Sequence, residues 1–468
     1  MRKIRPVRDV VEGTDRMRRA ARLYLPQHPG EDENTYKRRI VRGRLFNATK
    51  RTLKGLVGLI YRKQPTIPDS FPPEITTHLE NIDNAGSDLV MFARDFTEEA
   101  FQDGLAHALV TFPMVNPDTI LTLADERNAG LRPYWTCVKH ADITNYRFVR
   151  RAGRDVLTLV AIQEDTSLPD GLFGEKFVSR RRILTLDKAG AAWELFEQDN
   201  TKGDDWLSIA NGRYLKAGGQ PFDQIPLVTA HLDRTGFMVG DPPLYDLAEE
   251  NLEHWRVRSG HTNALHWAST PIPIFKGRNG DDELVLASDK GIDLPADGDA
   301  YWMEAQGKSL SESRDEQKDI EARMAALGLQ MLVRETRGAE TAQAKMLDKS
   351  EADSALVTAS RAIEKALNQM VQVHAEWLGV TVAEDTRIEL NKDFSGVMLD
   401  PAMAAQLLAS LEAGHISRDT YWDALERGEV VKIPDRDLEI GKIEDESTAS
   451  LERAVAAVVP EVEPADAA

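Results

Sequence analysis

The sequence predicts an α+β protein, on three observations. Apolar side chains recur at helical spacing in the N-terminal region and again over residues 353–378. Residues 132–228 switch to short alternating apolar runs punctuated by Gly, Pro and Asn-Gly, the signature of strands and hairpins. A second strand-rich stretch, 269–307, sits between two helical segments. The chain has 468 residues, enough for about three domains and a sizeable core.

The elements follow in order. Residues 1–24 read as mostly helical. In 36–63, Ile40, Leu45, Phe46, Leu53, Leu56, Val57, Leu59 and Ile60 continue the helical spacing until Pro65 and Pro68 stop it. A short helix is expected near 74–82. Residues 89–110 read as an amphipathic helix carrying Phe92, Phe96, Phe101, Leu105 and Leu109, ended by Pro113. Gly104 inside it costs about 1 kcal/mol relative to Ala, which implies close packing there.

After the β-rich block comes a helix over 244–267, entered through Asp241, Pro242 and Pro243 and carrying Leu247, Leu252, Trp255 and Leu265. Helix resumes over 311–333 with Ser311 as its N-cap. The polar stretch 334–349, interrupted by Gly338, reads as a loop. The clearest element is the next, because Leu356, Ala359, Ile363, Leu367, Met370, His374 and Trp377 form one stripe. A helix over 353–378 spans roughly 39 Å, and Gly379 ends it. Residues 386–394 look strand-like, 401–413 and 417–427 are two short helices joined at Gly414-His415, and the acidic tail from 443 is expected to be mobile.

Charge is segregated along the chain. Lys and Arg number 58 against 77 Asp and Glu, a net −19. Yet residues 1–63 hold eighteen bases against six acids, and the stretch from Val431 holds ten acids against four bases. Such a moment fits a basic N-terminus paired with an acidic neighbouring domain or subunit better than phosphate contact, since no aromatic interleaving or nucleic-acid module accompanies the arginines. Cys137 is the lone cysteine, so no intramolecular disulfide is possible and a reducing compartment is expected. No secretory h-region and no run of about 18 apolar residues is present, which predicts no membrane contact.

Motifs for catalysis are weak. Gly307-Lys308-Ser309 matches the end of a phosphate-binding loop, but Trp302 stands where its first glycine is required, so a turn is expected. His254, His261 and His266 share a helix at spacings of seven and five, which do not stack two imidazoles as metal ligands. Acid clusters at Asp281, Asp282 and Glu283, at Asp435, Asp437 and Glu439, and at Glu444, Asp445 and Glu446 could hold Mg²⁺, but read as solvated surface. Cys137 beside Tyr134 and Trp135 reads as a small buried hydrophobe. No enzymatic activity, cofactor or metal is expected.

Five strings carry a resemblance: YLPQHPGEDENTYKRRI and FNATKRTLKGLVGLIYRKQP in 24–65, RPYWTCVKHADITNYR at 132–147, GDPPLYDLAEENLEHWRVRSGHTNALHWASTPIPIFKG at 240–277, and ETAQAKMLDKSEADSALVTASRAIEKALNQMVQVHAEWLG at 340–379. With the element order, over most of 1–435, the chain resembles tailed-bacteriophage portal proteins, in particular a portal-like branch described only as a domain of unknown function. None of the strings is a catalytic signature.

The resemblance implies a portal-like fold and a ring, usually of twelve copies, at one capsid vertex. Double-stranded DNA would be packaged and ejected through it. The implied partners are the terminase, the major capsid or scaffold protein, and a head-completion or tail adaptor protein; the implied location is the virion, after assembly in the host cytoplasm. Residues 1–243 would form the wing, 244–267 and 311–333 the stem helices, and 268–310 the clip, with Pro273, Phe275, Lys276 and Trp302 at its docking surface. Residues 334–352 would be the tunnel loop, with Arg334, Arg337 and Lys345 facing DNA. Residues 353–399 would be the long wing helix and return strand, 400–442 a small crown, and 443–468 an acidic flexible tail. The alternatives from other classes are a DNA-binding adaptor and a metal-dependent nuclease subunit of the packaging machinery.

Overall fold

The computed structural model describes residues 3–114, 130–198, 205–269, 272–276, 297–303, 308–329, 342–383, 385–392, 394, 401–427, 431 and 435–458. The chain divides into two compact units, Met1–Lys392 and Asp393–Ala468.

The larger unit opens with helices α1 (Ile4–Glu12), α2 (Thr14–Ala20), α3 (Glu33–Arg42), α4 (Ala48–Ile60), α5 (Pro73–Leu79) and α6 (Leu89–Asp103). The apolar run in 36–63 is therefore two helices rather than one. The chain breaks at Gly43, where an added Cβ would lie 2.6 Å from the Trp255 ring. It restarts at Asn47, whose side chain accepts from Lys50 N at 2.9 Å, a side-chain N-cap.

The expected helix over 89–110 is likewise corrected. It stops at Asp103, because Gly104 adopts φ +79 and a Cβ there would come within 2.2 Å of the Asp241 carbonyl oxygen. Only glycine fits so tight a left-handed turn. Close packing at Gly104 is thus found, but as a helix end. The following residues form strand β1 (Leu105–Thr111), buried along its whole length, where β-branched Val110 and Thr111 sit well.

Strand β1 is the middle of a three-stranded antiparallel sheet between β2 (Tyr134–Val138) and β10 (Leu227–His231). The rest of the β-rich block is an antiparallel five-stranded sheet ordered β3 (Ile143–Arg151), β4 (Arg154–Gln163), β7 (Arg180–Asp187), β8 (Gly190–Gln198) and β9 (Trp206–Arg213). The hairpin β5 (Thr166–Asp170) and β6 (Gly174–Val178) is inserted between β4 and β7. A small pair, β11 (Arg234–Gly236) and β12 (Val239–Gly240), leads into α7 (Tyr245–Ala268).

Strands β13 (Ile272–Lys276) and β14 (Asp299–Met303) pair antiparallel. Helix α8 then runs Lys308–Met324 and ends in a π-helical turn, Ala325–Leu329. Ser311 therefore lies inside the helix and is not its N-cap. Buried Ile320 and Met324 anchor α8, and the Lys, Glu, Gln and Arg residues before them are good helix formers that extend it backwards. Lys308 and Ser309 accordingly lie in its first turn, not in a free turn.

Helix α9 (Ala342–Leu378) has 37 residues, about 55 Å of rise. It starts eleven residues earlier than expected, so 342–352 are helix rather than loop; Ala342, Gln343, Ala344, Lys345, Met346 and Leu347 all favour that state. Its stripe is buried from Leu356 through Ala359, Ile363, Leu367, Met370 and His374. Near its C-terminal end the half-buried Trp377 donates from Nε1 to the Val110 carbonyl at 3.2 Å and packs on Phe112, Tyr214 and Phe222.

The expected return strand is a single bridge, Thr66 with Glu389. The chain there satisfies its backbone on side chains of α9 instead of on a sheet. Ser360 Oγ donates to Asn391 O at 2.7 Å, Glu364 Oε2 accepts from Leu390 N at 3.0 Å, and Asn368 holds both backbone groups of Ile388 at 2.9 Å. These three residues are spaced by four, on one ridge of the helix.

The smaller unit contains α10 (Pro401–Glu412), α11 (Arg418–Arg427) and α12 (Arg436–Val458). The tail from 443, expected to be mobile, continues α12 as far as Val458. Asp435 starts that helix by accepting from Leu438 N at 3.1 Å, and Asp437 and Glu439 lie in its first turn, where acids complement the helix dipole. Residues 459–468 lie outside the described residues.

Candidate assembly site: a helical hairpin and an arginine cleft

Helices α7 and α8 form an antiparallel hairpin with the β13–β14 pair between them in sequence. Buried His254 on α7 places Nε2 3.1 Å from Glu321 Oε1 on α8. One turn towards the base, Arg323 Nε donates to Glu250 Oε2 at 3.0 Å. At the π-helical turn, Gly328 leaves no room for a side chain, since a Cβ would sit 2.7 Å from Thr52 Oγ1 and 2.8 Å from Leu247 Cδ2. Burial lowers the pKa of His254 below its ordinary value, against the pull of Glu321.

The base of α7 is locked to the N-terminal helices. Trp255 and Leu252 join Val10, Met17, Tyr24 and Leu25 in one buried cluster, and Asn251 accepts from Thr49 N and Oγ1 at 3.2 and 3.0 Å. Further out the hairpin sheds this cover. Leu265 is 49% exposed, and most of α8 from Ser311 to Asp319 faces solvent.

The basic N-terminal segment finds acids within its own unit. Lys3 pairs with Asp241 at 2.6 Å, Arg16 with Asp9 at 2.6 Å and Arg22 with Glu33 at 2.6 Å. Arg8 forks onto the buried Asp103 at 2.7 and 2.6 Å, and Arg39 pairs with Glu31 at 2.8 Å, both almost fully buried. These pairs lie within one unit, whereas the charge count led to the expectation of an acidic neighbouring domain or subunit.

A residue of that charge is not consumed. Arg18, Arg42, Arg44 and Arg258, with Val41 and Thr262, line a cleft of about 410 Å³ between the N-terminal helices and α7. Arg18 donates to the carbonyls of Val41 at 2.8 Å and Gly43 at 3.2 Å, and Arg42 to Asn263 Oδ1 at 3.2 Å. Asp15 lies 3.5 Å from Arg18 but is 91% exposed. Arg44 and Arg258 have no carboxylate partner among the described residues. The sequence does not announce this cleft, because Arg258 is more than 200 positions from its companions.

The structure distributes the other candidate residues unevenly. Pro273 and Trp302 are direct partners in the β13–β14 register, Phe275 faces Ala300, and Lys276 lies over the Tyr301 ring at 5.2 Å. The two strands thus bring all four clip candidates onto one ladder. Lys345 lies in α9, while Arg334, Arg337, Asp281, Asp282, Glu283 and Gly307 lie outside the described residues. Burial pushes the Cys137 thiol up to about 12, as suits a packing residue rather than a nucleophile.

Two histidine pairs, each with one buried and one half-buried ring, were not anticipated. His374 Nδ1 accepts from Trp135 Nε1 at 3.2 Å, so its proton sits on Nε2, which donates to His78 Nδ1 at 2.9 Å. His107 contacts Thr229 Oγ1 at 2.9 Å and His140 Nδ1 at 3.1 Å. Burial lowers His374 to about 3 and His140 to about 4. His374 was legible only as a polar residue on an apolar stripe. Among the described residues no group of three His, Cys, Asp or Glu side chains could hold a metal ion, and no helix is long and apolar enough to cross a membrane.

Residues 243–378, from α7 through α9, match the family described as a domain of unknown function (DUF4055). No curated protein matches the chain. Among solved structures, a chain of the neck of an empty GTA particle computed with C6 symmetry is 13% identical, with a TM-score of 0.37 over 90% of this chain and 100% of that one. A chain of the virion of a native gene transfer agent particle is 13% identical, with a TM-score of 0.38 over 87% and 98%. The family match covers the hairpin, its π-helical base and the long helix.

Proposed function

We propose that this chain is the protomer of a phage-type portal: a ring-shaped channel, with no reaction of its own, through which DNA enters and leaves a capsid. The observation that carries the reading is the hairpin α7–β13–β14–α8. It is anchored by Trp255 at its base and exposed along its outer part, and the chain then continues into the long helix α9. A two-helix arm solvated on its flanks is wasteful in a monomer and economical where copies flank it. The charge supports the same reading, since a channel with net −19 per subunit would not brake its cargo by phosphate neutralisation.

In this reading α7 and α8 are the stem, and β13–β14 with Pro273, Phe275, Lys276 and Trp302 form the clip that docks terminase and later a head-completion or tail adaptor protein. Residues 1–243 and α9 make the wing, and α10 with α11 a small crown. Arg334, Arg337 and Lys345 face DNA in a ring of about twelve copies within the virion. The test is the mass and symmetry of the purified chain, by native mass determination and negative-stain class averages. A closed ring of about a dozen copies with a central hole is expected; a persistent monomer or dimer overturns the reading. Changing Arg334, Arg337 and Lys345 together to Ala should leave that ring intact and alter DNA packaging or retention.

A further inference from the structure

We infer that the arginine cleft beside α7 is one half of a subunit contact, filled by carboxylates on the exposed face of α8 from a second copy of this chain. The inference rests on the ring reading above and names the residues that close the ring.

Three observations carry it. First, the cleft is short of negative charge. Four guanidinium groups surround about 410 Å³, Arg44 and Arg258 lack a carboxylate partner among the described residues, and Arg18 and Arg42 are held mainly by neutral oxygens. Like charges gathered in this way repel unless an anion enters.

Second, α8 offers unmatched acids. Glu312 and Asp319 are exposed and have no ion-pair partner among the described residues, and Glu316 is only loosely engaged, 3.7 Å from Arg323. At spacings of four and three they share one helical ridge.

Third, the two patches stand at the same height on the hairpin. His254 is level with Glu321 and Glu250 with Arg323, so stepping four to eight residues outward along α7 to Arg258 and Thr262 corresponds to stepping the same number back along α8. That places the cleft level with the ridge Glu312–Glu316–Asp319. Rotation about a ring axis that runs along the hairpin preserves height, so the cleft of one copy meets the ridge of the next. Such a head-to-tail contact needs complementary patches on one subunit, which these are. A polyanion is the less suitable occupant, because it would have to approach a chain of net −19.

The experiment uses the full chain in three variants: Arg44→Glu with Arg258→Glu, Glu312→Lys with Asp319→Lys, and all four changes together. Assembly is read by native mass and sedimentation at low and high salt, and folding by thermal melting. Each pair should reduce the ring fraction at least about tenfold while the chain still melts in one cooperative transition. The fourfold swap should restore the ring. Rising salt should weaken assembly of the parent, because exposed pairs are screened. Pairs that assemble like the parent, or a swap that folds but does not restore assembly, overturn the inference while the parent ring stands. Normal assembly of the arginine pair with lost binding to a short duplex DNA would make the cleft a phosphate site and overturn it too. A parent chain that forms no ring removes the portal reading and this inference together.

Discussion

Replacing Asn368 with Ala should destabilise the larger unit by about 1–5 kcal/mol. The amide Oδ1 accepts from Ile388 N and Nδ2 donates to Ile388 O, both at 2.9 Å, beside a side chain with 0% exposure. Truncation leaves one N–H and one C=O inside the protein without partners, at about 1–3 kcal/mol each. The better helix propensity of Ala returns less than about 1 kcal/mol. The assay is urea unfolding followed by tryptophan fluorescence, with the change taken from the midpoint at constant m. Ile388→Val is the control, because it removes one buried methyl group and should cost only about 0.5–1.5 kcal/mol. If Asn368→Ala cost no more than Ile388→Val, the return segment would not be held by its side-chain ladder, and the explanation given for the missing strand would fail.

Stability should also fall with acid through His374, whose folded value is lowered by burial, and by the nearby His78 and Arg132, from 6.5 to about 3. The unfolded chain takes up a proton first, so this contribution is complete above pH 6.5 and is lost as pH falls towards 3, by about 2 kcal/mol at pH 5. His374→Gln keeps a donor towards His78 and should flatten the slope of stability against pH between 4 and 6 by up to one proton; an unchanged slope would refute the assignment. Gly43→Ala should cost about 1–3 kcal/mol through contact with the Trp255 ring at 2.6 Å. Trp255→Phe frees that space, so a double-mutant cycle should show coupling between the two sites, and strict additivity would count against it.

Local pattern carried part of this architecture. The stripe on α9 was visible because a helix burying one face must repeat every 3.6 residues, and Leu356, Ile363, Leu367 and Met370 are indeed buried. The β-rich block was visible through alternation and turn residues. Less legible were the boundaries. Residues 36–63 read as one helix because Gly43 looks tolerable until Trp255, from a distant helix, occupies its surface. Residues 89–110 read as one helix because Leu105 and Leu109 also fit a strand buried on both faces. The stretch 342–352 read as a loop because its polar surface concealed good helix formers.

The sequence by itself determined the α+β class, the segregation of charge, the two helices around a strand-rich stretch, and the long stripe that binds α9 to the core. These are properties of neighbours in the chain, set by local sterics and by periodic burial. Only the tertiary structure decided which charges remain unspent. The basic segment finds Asp9, Glu31, Glu33, Asp103 and Asp241 within its own unit, which leaves Arg44 and Arg258 in an open cleft. It also decided that His78 meets His374, 296 positions away. Coulombic and hydrogen-bonding partners are chosen by distance in space, and a sequence records only distance along the chain.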